Sequence, residues 1–338
     1  MGAGRAVGGL AACFCLLAPL AAAGPADAPA SPAAQVVAPG VWLIAGAVPA
    51  DREPDGNTVV FRAPAGLIVM DTGRHLPHRE AILDFARTQN RPIVAIVNSH
   101  WHLDHVSGNP DLKRAYPRVK VYASDAIDEA LAGFLPHSAQ ENRKALAEGG
   151  LPPGVADDLR ADDATIDNGQ ALRPDVVIAA SATRSVGGLR LRINLAPHAA
   201  TDGDVWVYDA RSGVAAVGDL VTLPAPFLDT ACSQGWRTAL SRIWATPFRI
   251  AVPGHGRPLS RVEFATYRAA FDALVDCSAS QTAKADCAAA WTRATASLRG
   301  DDPAQVRQSQ GMTEHYVGDV LRAHGGDSAF CTAPRPTA

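Results

Sequence analysis

The segment His100-Trp101-His102-Leu103-Asp104-His105 constrains this chain more than any other. It follows an unbroken apolar run over residues 92–97 and the polar pair Asn98-Ser99. A run of that length and composition reads as a strand buried on both faces. A strand of this kind delivers the histidine segment to a cleft at the edge of a core. Three imidazoles and a carboxylate are costly to leave unpaired there. A divalent cation removes the penalty by taking neutral imidazole nitrogens and the carboxylate oxygen together. His100 and His102 share one side of a local extended segment, and Asp104 and His105 can face a second position. The apolar strand feeding the segment argues against a chance surface cluster.

The rest of the chain alternates short strands with helices. Strands are expected at 40–45, 58–62, 66–70, 92–97, 119–123, 189–195, 204–208, 214–217 and 249–252. Helices are expected at 78–87, 126–148, 236–246 and 261–276, the last from the 3-4-3 spacing of Phe264, Tyr267, Phe271 and Leu274. Residues 149–172, rich in Gly, Pro and Asp, read as irregular and exposed. The tail to Cys331 reads as mostly helical. The alternation gives an α/β fold with helices outside stacked sheets.

The front of the chain has its own logic. Arg5 precedes an apolar run from Leu10 that ends in Ala21-Ala22-Ala23, the pattern of a secretory signal peptide over 1–23. The run is too short for a stable membrane span. Leu10-Ala11-Ala12-Cys13 resembles a lipoprotein cleavage box, but the apolar residues beyond Cys13 favour simple cleavage. A Pro/Ala linker follows at 24–35, then a main domain at 36–260 and a C-terminal helical extension at 261–338. The expected location is periplasmic or secreted. The net charge of −3 excludes nucleic acid as the main partner.

Export changes the meaning of the cysteines. Six are present, and Cys13 and Cys15 leave with the leader. Cys232, Cys277, Cys287 and Cys331 remain, an even set for an oxidising compartment. Three pairings are open, with Cys277–Cys287 the first to expect. No CxxC spacing occurs among them, which disfavours zinc binding through sulfur.

His-x-His-x-Asp-His after an apolar strand resembles the signature of the metallo-β-lactamase superfamily, and the rest of that family's pattern follows in order. Asp71-Thr72-Gly73 resembles its early Asp turn, which supports the metal site from behind. His198 matches the third histidine, Asp219 in Gly218-Asp219-Leu220 the bridging aspartate, and His255 in Gly254-His255-Gly256 the last histidine. The resemblance implies an αββα sandwich of two mixed sheets with helices outside. It also implies two divalent metal ions, zinc first and iron or manganese next. One would be held by His100, His102 and His198, the other by Asp104, His105 and His255, with Asp219 bridging. His75, His78, His137, His315 and His324 lack such context and read as surface or structural.

Departures narrow the branch. Flavodiiron members carry Glu at the place of His102, and true β-lactamases carry Cys or Ser at the place of Asp219. The usual Gly-His-Thr-Pro-Gly is replaced by Pro197-His198-Ala199-Ala200-Thr201-Asp202-Gly203-Asp204, and no glutathione clamp is visible. Residues 201–204, 218–221 and 226–232 look most like SoxH-related quinoprotein relay system zinc metallohydrolases. The implied activity is an exported zinc hydrolase. A metal-bound hydroxide would attack an ester, thioester, lactone or amide of a small-molecule substrate, with Asp104 orienting it and passing on its proton. The alternatives are a mononuclear iron sulfur or persulfide dioxygenase, and a non-catalytic accessory protein bound to a periplasmic quinoprotein or cytochrome.

Overall fold

The computed structural model describes residues 33–49 and 51–332. The leader expected at 1–23 lies outside the described residues.

Among the described residues, thirteen strands build two sheets. The first holds β1 (Ala34–Ala38), β2 (Val41–Ile44), β3 (Thr58–Ala63), β4 (Gly66–Met70), β5 (Ile93–Val97), β6 (Lys120–Ala123) and β7 (Val176–Val177), in chain order. Pairing is antiparallel from β1 to β4 and parallel from β4 to β7, so the sheet is mixed. The second holds β8 (Ala182–Val186), β9 (Leu189–Pro197), β10 (Gly203–Asp209), β11 (Val214–Thr222), β12 (Ile250–His255) and β13 (Leu259–Ser260). Here β11 and β12 pair in parallel and the other neighbours antiparallel.

The helices are α1 (Leu76–Thr88), α2 (Leu103–Val106), α3 (Asn109–Ala115), α4 (Ile127–Ala132), α5 (Phe134–Glu148) and α6 (Pro153–Asp167). After the second sheet begins come α7 (Ser233–Trp244), α8 (Arg261–Ser278), α9 (Lys284–Ala294), α10 (Ala296–Arg299) and α11 (Pro303–His315).

Alternate side chains of each buried strand go to opposite layers, because successive Cβ atoms point to opposite faces. Leu43, Phe61, Ile68, Met70 and Val97 meet Leu191, Ile193, Val205, Val207 and Val252 between the sheets. Val60, Leu67, Val69 and Ile96 face the other way, onto Ile82 and Ala86 of α1 and Leu112 of α3. The outer face of the second sheet, with Trp206, Ala215 and Val217, packs on Trp236 and Leu240 of α7 and on Phe264, Tyr267 and Phe271 of α8. This is the expected αββα arrangement. The helices after residue 260 share that last core, which also takes in Trp291 and Tyr316.

Several local expectations need correction. The helix expected at 126–148 is two, α4 and α5, because Gly133 takes a non-helical conformation at φ −126° and ψ −88° between them. Residues 149–172 are not irregular. Pro153 opens α6, a favoured place for proline in a first turn, and Asp158, Asp162 and Ile166 recur four apart on its buried face. The aspartates gave no apolar signal because their partners are cations: Arg52 pairs with Asp158 and Arg74 with Asp162. Strands β1, β7, β8 and β13 were not expected. β8 buries only Val186, so its sequence carries no alternation. Ala34 and Gln35, read as the end of the linker, belong to β1.

Among the described residues there are two disulfides, Cys277–Cys287 between α8 and α9, and Cys232–Cys331 across 99 residues of chain. No helix among the described residues is long and apolar enough to cross a membrane.

Candidate metal centre

The candidate residues collect at strand ends. Asp71 follows β4, the His100–His105 segment follows β5, Asp219 lies in β11 and His255 closes β12. Close approach depends on two glycines. A Cβ on Gly254 would stand 1.8 Å from Asp219 Oδ1, and one on Gly218, at φ +53°, would stand 2.4 Å from Ser99 Cβ. Only glycine lets these strands bring their polar side chains together.

Two groups of three donors result. His100, His102 and Asp219 place one donor atom each within 4.8 Å of one another, and so do Asp104, His105 and His255. Asp219 joins the two: its Oδ2 is 3.8 Å from His100 Nε2, and its Oδ1 is 3.2 Å from His105 Nε2 and 3.7 Å from His255 Nε2. Asp104 Oδ2 lies 3.2 Å from His105 Nε2 and 2.9 Å from His255 Nε2. All six side chains are buried.

Hydrogen bonds behind the donors set which nitrogen each imidazole presents. Asp71 accepts from the Ser99 backbone N–H at 2.7 Å, from Ser99 Oγ at 2.7 Å and from His105 Nδ1 at 3.0 Å. A carboxylate has no proton to give, so His105 carries its proton on Nδ1 and turns Nε2 to the site. Ser99 has donated its one proton to Asp71, so it accepts from His100 Nδ1 at 2.8 Å, and His100 Nε2 is left for the site. Asp71 thus bonds residues behind both donor groups.

Burial and charge act together at the centre. Burial drives the imidazoles of His100 and His102 toward the neutral form, with His102 brought down to about 4. Burial opposes protonation of His105 and His255 as well. There the carboxylates outweigh it, chiefly Asp104 for His105 and Asp219 for His255, and both are raised. Burial likewise works against ionising Asp104 and Asp219, yet the neighbouring imidazoles, His105 first, hold both carboxyls low. His100 Nε2 and Asp219 Oδ1 are buried without a hydrogen-bond partner, and His105 Nε2 and His255 Nε2 face each other at 3.3 Å. The unpartnered His100 Nε2 and Asp219 Oδ1, beside imidazole nitrogens and carboxylates that converge with them, fit metal cations.

Residues 52–255, more than half of the chain, match the sequence pattern of the metallo-beta-lactamase superfamily. The chain belongs to that superfamily. A linear primary-alkylsulfatase from Pseudomonas sp. is 26% identical over 226 residues, 60% of this chain and 41% of that protein. An atrochrysone carboxyl ACP thioesterase from Emericella nidulans is 38% identical over 65 residues, 19% of this chain and 21% of that one. The chain therefore spans less than half the length of these curated relatives. Among solved structures, a beta-lactamase domain protein from Burkholderia ambifaria aligns with a TM-score of 0.56 at 20% identity, over 87% of this chain and 89% of that one. That likeness is one of fold.

One residue expected from the superfamily pattern stands apart. His198 belongs to neither donor group; it sits after β9 in the left-handed region at φ +51°, with Nδ1 3.2 Å from Asp202 Oδ1. Its nearest grouping, with Asp202 and Cys232, is no metal site, because the Cys232 sulfur is spent in a disulfide. Two alanines separate His198 from Thr201, and Ala200, directly before the threonine, is buried.

Of the other histidines, His78 is buried against Thr58 Oγ1 at 2.8 Å, and His75 bridges Asp55 and Asp158. Sequence reasoning missed Ser99 and Thr230 as supports of the centre. Only Thr230 left a trace, within the segment 226–232 noted for resemblance.

Proposed function

We propose that this chain is an exported hydrolase that works with two divalent cations, zinc first, on a small molecule carrying an ester, thioester, lactone or amide. The carrying observation is the convergence of five buried donors around a sixth, Asp219. His100, His102 and Asp219 would hold one cation, and Asp104, His105 and His255 the other, with Asp219 shared. Two cations so placed lower the pKa of a bound water and polarise the oxygen of the group being cleaved. The chain's own part is to fix donor geometry through Asp71 and Ser99, and to offer the Asp104 carboxylate as proton acceptor beside the attacked centre.

The rings beside His102 support a substrate with an apolar portion. Phe227 lies 5.0 Å from the His102 ring, Trp101 4.6 Å and Phe134 6.4 Å, and Phe330 extends this wall from Phe134 at 5.1 Å. Cleavage of acyl compounds agrees with the thioesterase relative, and the alkylsulfatase relative brings sulfate esters into the same panel. Export is supported by the two disulfides.

A second reading has one observation in its favour. Each donor group contains two histidines and one carboxylate, the set that holds iron in non-haem oxygenases. Metal analysis with a substrate panel separates the two. About two zinc ions per chain and chelator-sensitive cleavage of an aryl or alkyl ester support the hydrolase. One iron per chain with oxygen consumption in the presence of a persulfide overturns it.

A further inference from the structure

The hydroxyl of Thr230 lies between two groups far apart in sequence. It donates to the Ala200 carbonyl at 2.8 Å and stands 3.1 Å from His102 Nε2. A threonine hydroxyl has one proton. With that proton committed to Ala200, the oxygen can only accept from His102, which requires the imidazole proton on Nε2. The lone pair of His102 then sits on Nδ1, the opposite presentation from His100 and His105.

Thr230 is itself held on both sides. Ser328 Oγ donates to the Asp229 carbonyl, and the Ser328 N–H donates to the Ala231 carbonyl at 2.9 Å. Cys232, two residues on, is tied to Cys331 and donates its N–H to the Ala199 carbonyl at 2.9 Å. Phe227 of the same segment packs edge-on against the His102 ring. The C-terminal tail thus braces the segment that braces His102, and Thr230 is buried.

We infer that Thr230 is a positioning residue that fixes the Nε2–H tautomer of His102, so that His102 meets the first cation through Nδ1. The inference rests on the dinuclear reading above for its metal arm, and on the hydrogen bonds alone for its tautomer arm. Supporting groups of this kind change metal affinity by about 10–100-fold.

The test compares wild type with Thr230→Val and Thr230→Ser. Nitrogen-15 NMR of the metal-free protein above neutral pH reads the His102 tautomer. Wild type and T230S carry the proton on Nε2, and T230V loses that single form. Zinc titration against a chelator then reads the two sites. T230V weakens one site by about 10–100-fold and leaves the other unchanged, while T230S restores both. If valine prevents folding, Thr230→Ala makes the same comparison without added volume. A His102 proton on Nδ1 in wild type overturns the inference whatever the metal content. Two sites of unchanged affinity in T230V overturn it while sparing the dinuclear reading. Wild type that binds no zinc overturns that reading together with the metal arm.

Discussion

Replacing Asp71 by Asn tests the support beneath both donor groups with little change of shape. Asp71 sits at φ +64°, a conformation that Asn tolerates better than most residues. Its two oxygens accept three donors: the Ser99 N–H on Oδ1, and Ser99 Oγ and His105 Nδ1 on Oδ2. Asn keeps one acceptor and turns the other into a donor. With its NH₂ at the first place, it opposes the Ser99 N–H and disturbs the residue that orients His100. With its NH₂ at the second, it opposes His105. One arrangement or the other must be broken. A hydrogen bond to a charged group contributes about 1.5–3 kcal/mol. Metal affinity should therefore fall by about 10–100-fold, equivalent to about 1.4–2.7 kcal/mol. Competition of zinc with a chelator measures this, and circular dichroism shows that the fold survives. D71N protein with wild-type affinity at both sites would refute the role given to Asp71.

Three further outcomes are expected. His198→Ala should leave zinc stoichiometry at its wild-type value, since His198 bonds Asp202 outside both donor groups; loss of one zinc would place it among the ligands. In the chain-entropy model, breaking Cys232–Cys331, which closes 99 residues, costs about 4.7 kcal/mol, against about 2.7 kcal/mol for Cys277–Cys287, which closes 10. Denaturant unfolding of paired Cys→Ala variants should rank them in that order. Burial holds the His78 imidazole below its usual range, so below about pH 6.5 the unfolded chain binds the extra proton and the native state loses stability. His78→Gln, which can still donate to Thr58, should lose that slope. The stability gap between wild type and variant should narrow as pH falls, and a constant gap would contradict the assignment.

The readable part of this protein was its apolar strands and what hangs from their ends. Strand β5 and the His100–His105 segment were plain because a run buried on both faces can hold no polar residue until it leaves the core. Asp71, Asp219 and His255 were placed by resemblance to the superfamily pattern, in the order that pattern gives them. The unreadable part was built from polar pairs. Helix α6 buries Asp158 and Asp162 against Arg52 and Arg74, so its inward face looks like an outward one. Strand β8 is exposed along most of its length. Thr230 reaches His102 across 128 residues through one hydroxyl, and no local pattern announces such a contact. His198, matched to the third ligand by resemblance, lies outside both donor groups and bonds Asp202.

The most direct test of the proposed dinuclear centre is metal content measured together with hydrolysis on one preparation of the protein. Zinc reconstitution should give about two ions per chain, with ester cleavage lost on chelation and regained on adding zinc. A chain that cleaves the same substrates after complete removal of metal, or that retains a single iron and consumes oxygen, would contradict it.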